Sequence, residues 1–205
     1  MIKNILFDFD GVILDSMKIR TDGFREIFSS FQKKDVDLLV DFHNKNGGLS
    51  RYVKIEYFFK RILNEDINAQ KINEIAARFS EIMRYKLIDK SLLIEPTINF
   101  IYKNYKAFNF HIVSGSDQDE LRFLCDKLKL RKYFVSILGS PTAKDDLVAN
   151  IIKSHKYKKS ETIIIGDSIN DFNSAKKNKI KFFGFNNLDL KEKSDKYIEN
   201  YNLIF

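Results

Sequence analysis

The stretch ILFDFDGVILDS near the start of the chain places two carboxylates, Asp8 and Asp10, at the end of an apolar run. Side chains of a strand alternate between its two faces, so residues spaced by two point to the same side. Two neighbouring anions repel one another and raise each other's pKa. The pattern therefore predicts a cation between these carboxylates, or a carboxyl group that is kept protonated for chemistry.

Three further polar clusters follow apolar runs later in the chain. They are Ser114/Gly115/Ser116, the stretch 139–144 that ends in Lys144, and Gly166/Asp167/Asp171. In an open parallel sheet, ligands bind beyond the carboxyl ends of the strands, which lie at one edge. We therefore expect all four clusters to meet at a single site.

The elements that must position these clusters follow from the spacing of the apolar residues. Strands are predicted for MIKNILFDFD, FNFHIVSGS, YFVSILGS, TIIIGDS and IKFFGF. Helices are predicted for EPTINFIYKNY, DQDELRFLCDKL, KDDLVANIIKSH and NDFNSAKKN. Strands that alternate with helices predict an α/β fold with a doubly wound parallel sheet, covered by helices on both faces.

A block without convincing strands separates the first strand from this α/β part. Its apolar residues recur at helical spacing in GFREIFSSF, RYVKIEYFFKRIL and INEIAARFSEIMRYKLI, with a break at NKNGGLS. We predict a core domain made of residues 1–14 and 92–205, and an inserted α-helical domain of residues 15–91.

The composition is that of an ordinary globular protein, with 205 residues of which 44% are hydrophobic and 31% charged. The single cysteine, Cys125, allows no intrachain disulfide and fits a reducing compartment, so we expect a cytoplasmic protein. Asp8 and Asp10 interrupt the first apolar stretch, which argues against a signal peptide. No apolar run approaches the roughly 20 residues of a membrane span.

The net charge of +7 allows two interpretations. One is a polyanionic partner such as nucleic acid. The other is a lysine-rich solvated surface around a site for a small anionic metabolite, which the scattered positions of the lysines favour. We expect neither a nucleic acid nor a membrane partner, and a monomer or a homodimer. The histidines, His43, His111 and His155, lie too far apart for a zinc-type site.

The clusters together predict phosphoryl transfer. The four aspartates are hard oxygen ligands that suit Mg²⁺, which prefers a few carboxylates plus phosphate oxygens. Ser114 and backbone N–H groups at a helix N-terminus offer an anion site, and Lys144 adds a positive charge. A cation, an anion cradle, a lysine and a carboxylate are the parts of a phosphoryl-transfer site. The carboxylate can be a nucleophile, and a neighbouring one a general acid and base.

The segments DFDGVILDS, VSGS, GSPTAK and GDSIND resemble, in order and spacing, the four signature motifs of the haloacid dehalogenase-like hydrolase superfamily. The helical insertion resembles the α-helical cap of its phosphoglycolate-phosphatase and β-phosphoglucomutase relatives. The resemblance implies that Asp8 is the nucleophile and Asp10 the general acid and base. An acid at Asp10 favours phosphate over halide chemistry, because an alkoxide leaving group needs a proton and a halide does not.

The resemblance also implies a ligand set. Ser114, Gly115 and Lys144 would hold the transferring phosphoryl group. Mg²⁺ would be bound by Asp8, by Asp10 through its backbone carbonyl, and by Asp167. Asp171 would be a further ligand or an anchor behind the ligands.

The insertion contains three candidate substrate residues, Gly48, Arg51 and Arg20. Gly47 and Gly48 permit a tight loop that can approach the core site, and an arginine such as Arg51 can grip a second anionic group. The stretch resembles the cap specificity loop of sugar-phosphate mutases and phosphatases; the alternative is a simple helix break with a solvated arginine. Arg20 stands near the position where β-phosphoglucomutases carry a histidine, and this difference weakens a mutase interpretation. The remaining hypothesis is that Arg20 contacts an acidic or phosphorylated substrate.

The sequence thus predicts a Mg²⁺-dependent phosphatase that hydrolyses a small phosphate monoester, such as a sugar phosphate or a phosphoglycolate-like ester, through an aspartyl-phosphate. The alternative is a phosphomutase of the β-phosphoglucomutase type with the same covalent step. A third hypothesis, a nucleic-acid-binding or regulatory protein on the same fold, rests on the net charge alone.

Overall fold

Six parallel strands form one sheet at the centre of the computed structural model, which describes residues 1–201. The strands are β1 (Asn4–Phe7), β2 (Asn109–Asp117), β3 (Ser136–Ser140), β4 (Thr162–Gly166), β5 (Lys181–Phe185) and β6 (Lys196–Ile198). Their order is β3-β2-β1-β4-β5-β6, so β1 lies between β2 and β4. This order confirms the doubly wound α/β fold. Residues 202–205 of the predicted core domain lie outside the described residues.

Eight α-helices surround the sheet or lie in the insertion, counted within residues 1–201. They are α1 (Met17–Ile27), α2 (Lys33–Lys45), α3 (Arg51–Tyr57), α4 (Ala69–Lys86), α5 (Glu95–Asn104), α6 (Gln118–Lys127), α7 (Lys144–Ser154) and α8 (Ile169–Asn178). A π-helical stretch, Phe58–Leu63, continues α3 and ends at Asn64, which adopts a left-handed conformation with φ of 57°. The helical insertion is therefore confirmed.

The strands are apolar on both faces because helices cover both. Ile5 and Phe7 of β1 pack into a core with residues of α5 and α6, whereas Leu6 between them packs into a second core with residues of α7 and α8. The same alternation recurs in β4, where Ile164 faces α7 and α8. The sheet is thus held rigid from both sides, and its strand ends are fixed relative to one another.

The insertion leaves and re-enters the core through two adjacent strand-like segments. The backbone N–H of Asp15 donates to the carbonyl of Leu92 at 2.8 Å, and that of Ile94 donates to Ile13 at 3.0 Å. Leu14 and Leu93 form an antiparallel bridge between these bonds. Helices α1–α4 are therefore joined to the core by two hydrogen-bonded segments next to the end of β1.

Aromatic side chains form the interior of the insertion. The rings of Phe28 and Phe58 lie 4.3 Å apart, and those of Phe24 and Phe79 lie 4.5 Å apart. This core is continuous with the core under the sheet. The insertion is thus packed against the α/β part.

Three details differ from the sequence-based expectation. Strand β1 ends at Phe7, so Asp8 and Asp10 lie in the loop that follows it. Strand β2 continues through the predicted turn to Asp117, with a register shift after Val113. The short strand β6 was not predicted, because KYI has no apolar run of its own.

The N-terminus of α6 differs from the expectation of free backbone N–H groups, because a side chain caps it. Asp117 caps α6, and its carboxylate accepts hydrogen bonds from the backbone N–H groups of Asp119 and Glu120. A capping aspartate satisfies the donors that an anion would need. The backbone of Ser114 and Gly115 therefore belongs to the end of β2 instead.

No helix within residues 1–201 combines the length and the apolar character needed to cross a membrane.

Two adjacent leucines of α2 test the packing of the insertion. Leu39 is 0% exposed and Leu38 is 54% exposed. We expect Leu39→Ala to lower the free energy of unfolding by about 2–5 kcal/mol, because it leaves a cavity in the core. Leu38→Ala, the matched control, changes it by no more than about 0.5 kcal/mol. Urea unfolding measures both, and equal losses would contradict the observed orientation of α2.

Candidate active site

Asp8 sits at the centre of the strand ends. It follows β1 directly, and its backbone N–H donates to Ile165 of β4 at 2.9 Å. Its carboxylate lies 2.9 Å from the Nζ of Lys144. Burial and the charge of Asp171 raise the pKa of Asp8 to about 7, against the opposing charge of Lys144. Asp8 is therefore buried, fixed and surrounded by more negative than positive charge.

Three carboxylates meet at this point. Oxygen atoms of Asp8, Asp167 and Asp171 all lie within 4.8 Å of one another. Burial and the charge of Asp8 raise the pKa of Asp167 well above its usual range. Lys144 is the cation in contact with the cluster, so one positive charge faces three carboxylates. Hard oxygen donors with uncompensated negative charge are what a divalent cation such as Mg²⁺ requires.

Asp171 anchors this cluster from α8. One of its oxygens accepts hydrogen bonds from the backbone N–H of Ser168 at 3.1 Å and from its hydroxyl at 2.6 Å, as part of a capping box. The other oxygen accepts from Lys144 at 2.5 Å. Both oxygens are thus occupied, and Asp171 holds Lys144 in place.

Gly11 lets Asp167 approach the loop after β1. Its φ is +76°, and a Cβ built on it would lie 1.9 Å from a carboxylate oxygen of Asp167. Only glycine meets both the backbone and the space requirement.

Asp10 is held apart from the cluster by hydrogen-bond donors. One oxygen accepts from the Nε of Arg20 at 2.6 Å and from the hydroxyl of Ser16, and the other accepts from Ser116 at 2.5 Å. Burial opposes ionisation, but the charge of Arg20 and these hydroxyl groups hold the pKa of Asp10 below its usual range. The expectation that the two aspartates raise each other's pKa is therefore wrong for Asp10.

Ser114 and Gly115 lie beside this arrangement at the end of β2. The hydroxyl oxygen of Ser114 accepts a hydrogen bond from the N–H of Ser116 at 3.0 Å, which leaves its proton for a ligand. A Cβ on Gly115 would lie 2.4 Å from the carbonyl oxygen of Gly48. The glycine loop of the insertion therefore rests directly on the segment predicted to bind phosphate. Gly48, Gly115 and Lys144 also line one cleft of about 300 Å³.

Glu120 of α6 joins the two arginines of the insertion and was not anticipated from the sequence. It is 0% exposed, and its two oxygens accept from Arg20 at 3.0 Å and from Arg51 at 2.6 Å. The guanidinium of Arg51 also donates to Ser80 at 2.6 Å and lies over the ring of Phe79. In the structure, Arg51 contacts protein side chains, whereas the sequence-based hypothesis was that it binds the substrate.

Lys54 of α3 was also missed. It is 3% exposed, and its Nζ lies 2.9 Å from Nδ1 of His43 and 3.2 Å from the carbonyl of Gly47. Both partners are uncharged groups, because burial and the charge of Lys54 lower the pKa of His43 to about 3. Burial and the charge of Arg20 lower the pKa of Lys54 to about 7. Lys54 lies on the helix face that Ile55 and Phe58 bury, and it was missed because a lysine is seldom fully buried.

Comparisons with known proteins agree with the motifs. The family model described as haloacid dehalogenase-like hydrolase matches residues 5–185. The chain is 26% identical over 202 residues to a phosphoglycolate phosphatase of Vibrio parahaemolyticus, with 89% of this chain and 83% of that protein covered.

Solved structures share the fold. The β-phosphoglucomutase from Clostridium difficile matches with a TM-score of 0.79 at 14% identity, covering 100% of this chain and 94% of that one. CbbY from Rhodobacter sphaeroides, in complex with xylulose-(1,5)bisphosphate, matches with a TM-score of 0.79 at 15% identity, covering 98% and 95%.

Mg²⁺ should stabilise the folded chain through the carboxylate cluster. We expect a gain in the free energy of unfolding of about 2.7 kcal/mol when Mg²⁺ is present at 100 times its dissociation constant. Asp167→Asn removes one negatively charged metal ligand and should abolish most of this gain in the free energy of unfolding. Thermal unfolding with Mg²⁺ and with EDTA measures the difference.

The matched control is Asp189→Asn. Asp189 lines the same cleft as Asp167 but is exposed and lies outside the cluster. This variant should keep the full stabilisation by Mg²⁺. An undiminished gain in Asp167→Asn would show that the ion binds elsewhere.

The burial of Lys54 should appear in the pH dependence of stability. Its pKa is about 7 in the folded chain and 10.5 in its ordinary state, so between these values the unfolded chain binds one proton more. Wild-type stability therefore gains from this group as the pH rises through that window. Lys54→Met lacks the effect, so its advantage over the wild type should be largest near pH 6 and smallest near pH 10.

Urea unfolding of both proteins at pH 6, 8 and 10 measures this difference. Lys60→Met, which alters an exposed lysine paired with Glu56, is the control and should show no comparable trend. A constant difference between wild type and Lys54→Met across the range would contradict the burial of a charged amine.

Proposed function

Because the chain belongs to the haloacid dehalogenase-like hydrolase family, we propose that it is a Mg²⁺-dependent phosphatase that hydrolyses a small phosphate monoester through an aspartyl-phosphate on Asp8. The observation that carries this proposal is the position of Asp8, buried 2.9 Å from Lys144 within a cluster of three carboxylates. The relation to a phosphoglycolate phosphatase supports the phosphatase activity. The substrate is a sugar phosphate or a phosphoglycolate-like ester.

The residues around Asp8 supply what an attack on phosphorus needs. Lys144, the hydroxyl of Ser114 and the N–H of Gly115 donate to the phosphoryl oxygens and orient the phosphorus toward the Asp8 carboxylate. Asp8, Asp167 and the backbone carbonyl of Asp10 would hold Mg²⁺. When bound, Mg²⁺ supplies positive charge that offsets the carboxylates and the phosphate.

Asp10 moves the proton. In the first step, the carboxylate of Asp8 forms a bond to phosphorus, the bond from phosphorus to the alcohol oxygen breaks, and protonated Asp10 gives its proton to that oxygen. In the second step, the oxygen of a water molecule forms a bond to phosphorus and the Asp10 carboxylate takes a proton from that water. The bond from phosphorus to the Asp8 oxygen breaks, which releases phosphate and restores the Asp8 carboxylate. The approach of an anionic phosphate raises the pKa of Asp10, because like charge disfavours its ionised form. Ser16, Ser116 and Arg20 keep its carboxylate oriented in both steps.

The helices of the insertion act as the cap in this proposal, with residues 15–91 as its limits. The paired segments around Leu14 and Leu93 are the connection on which it can pivot. Glu120 holds the closed arrangement by binding Arg20 and Arg51 from the insertion. Closure excludes water while the ester reacts, which protects the covalent intermediate from early hydrolysis.

The setting of the enzyme stays a prediction from the sequence. Cys125 is buried and unpaired, as suits a reducing compartment such as the cytoplasm. The partner we propose is a small phosphorylated metabolite, and the protein is a monomer or a homodimer.

Replacing the nucleophile tests the proposal directly. We expect Asp8→Asn to lower phosphate release by more than about 10³-fold, because an amide oxygen cannot form the covalent intermediate. Phosphate release is measured across phosphorylated sugars, phosphoglycolate, nucleotides and amino acids, with Mg²⁺ and with EDTA. Asp15→Asn, which alters an exposed aspartate of the connection, is the matched control and should stay active.

Two outcomes would contradict the proposal. Equal activity of Asp8→Asn and wild type would exclude the covalent step. Turnover that requires a bisphosphate and interconverts phosphate positions without releasing phosphate would make the protein a phosphomutase.

A further inference from the structure

The insertion carries a buried cation that the proposed reaction does not use. Around Asp10, the cations Arg20 and Arg51 are paired with Asp10 and Glu120. Lys54 lies among them with no carboxylate in hydrogen-bond contact within residues 1–201; its contacts are His43 and the carbonyl of Gly47. A buried ammonium group without a counter-charge is unfavourable for folding. Such an arrangement indicates that the missing negative charge arrives with a ligand.

Two buried donors on the same cavity as Lys54 have no hydrogen-bond partner within the described residues. A charged lysine has only hydrogens to offer, so Nδ1 of His43 accepts and its Nε2 carries the proton. Neither Nε2 of His43 nor Nη2 of Arg20 has a hydrogen-bond partner within the described residues, although both atoms are buried. Buried donors are normally paired, and an unpaired Nη2 on the same cavity as the Lys54 ammonium group favours an acceptor with more than one oxygen.

These donors lie on one cavity that reaches the reacting groups. Arg20, His43 and Lys54 line it from the insertion, and Asp10 and Gly115 line it from the core. The cavity holds about 20 Å³, room for about one water molecule. A group that enters from the phosphoryl site must therefore be small, and a carboxylate needs less enlargement than a second phosphate or a sugar ring.

We propose that Lys54, with Arg20 and His43, forms a subsite for a carboxylate on the leaving alcohol of the substrate. The assignment rests on the proposed phosphatase function and narrows its substrate class to short phosphate monoesters of hydroxy acids. The carboxylate supplies the counter-charge for Lys54 and accepts from Nη2 of Arg20, while His43 holds the ammonium group of Lys54 through Nδ1. A hydroxyl accepts hydrogen bonds but brings no counter-charge, and an ammonium group accepts none and repels Lys54, so the site discriminates by charge.

Three esters of equal length test this subsite. They are 2-phosphoglycolate, 2-hydroxyethyl phosphate and 2-aminoethyl phosphate, which end in a carboxylate, a hydroxyl and an ammonium group. For the wild type we expect kcat/KM to fall in that order, with the carboxylate favoured over the hydroxyl by about 10- to 100-fold. Lys54→Met should reduce this preference at least tenfold, and Lys54→Arg should retain part of it because it keeps the charge.

Lys60→Met is the matched control, since Lys60 lies on the π-helical continuation of the same helix but is exposed. Its preference among the three esters should equal that of the wild type. If Lys54→Met does not fold, Lys54→Gln takes its place, because it removes the charge and keeps a polar end. Circular dichroism establishes that each variant is folded before its kinetics are compared.

A binding measurement separates this inference from the proposed function. Glycolate, the alcohol product of 2-phosphoglycolate, should raise the melting temperature of the wild type and of Lys60→Met but not of Lys54→Met. If phosphate is released from no ester, the proposed function fails, and the glycolate shift alone decides the subsite. If esters are hydrolysed with no preference for the carboxylate, or if Lys54→Met keeps that preference, the subsite is overturned while the phosphatase stands.

Discussion

The repulsion among three buried carboxylates at the end of the central strands is the constraint on which the site depends. Asp8 follows β1, while Asp167 and Asp171 follow β4, and these neighbouring parallel strands bring their acids together. Lys144 offsets part of this charge from the first turn of α7. Burial and the remaining charge raise the pKa of Asp8 and Asp167, and the proposed Mg²⁺ would offset that charge. A rigid sheet, packed on both faces, is what keeps the acids in place against their repulsion.

The charges of the core and of the insertion are arranged in opposite ways. The core presents carboxylates in excess of its lysine, whereas the insertion presents Arg20, Arg51 and Lys54 toward the same interior. Asp10 lies at the boundary, where Arg20 contacts it. This segregation explains why Asp10 is ionised while Asp8 resists ionisation, although the two stand two residues apart. The opposite charges favour contact between the insertion and the core, and Glu120 pairs with Arg20 and Arg51 across that contact.

Much of the core site could be predicted because it depends on local patterns. Asp8, Ser114, Lys144 and Asp167 each come after an apolar run of the sequence, and the parallel topology brings the carboxyl ends of the strands to one edge regardless of sequence separation. The network in the insertion depends on tertiary pairing instead. Glu120 meets Arg20 and Arg51 across 100 and 69 residues of chain, and its position in the first turn of α6 is where a surface acid is equally favoured. Strand β6 is formed by pairing with β5, and its three residues carry no strand pattern of their own.

Lys54 shows why a substrate pocket is hard to read from a sequence. On α3 it shares the buried face of Ile55 and Phe58, so its charge and not its spacing points to solvent; Phe24, Phe79 and the glycine loop enclose the cavity on which it lies. A methionine of similar length would fill the same space without an ammonium group to desolvate, so packing alone does not account for lysine here. Residues that lower the stability of the fold and form no stabilising contact in exchange are expected at sites that bind a ligand. The energetic penalty of burying Lys54 is therefore an argument about the ligand, and the proposed carboxylate on the alcohol that leaves phosphorus would relieve it with a small anionic group.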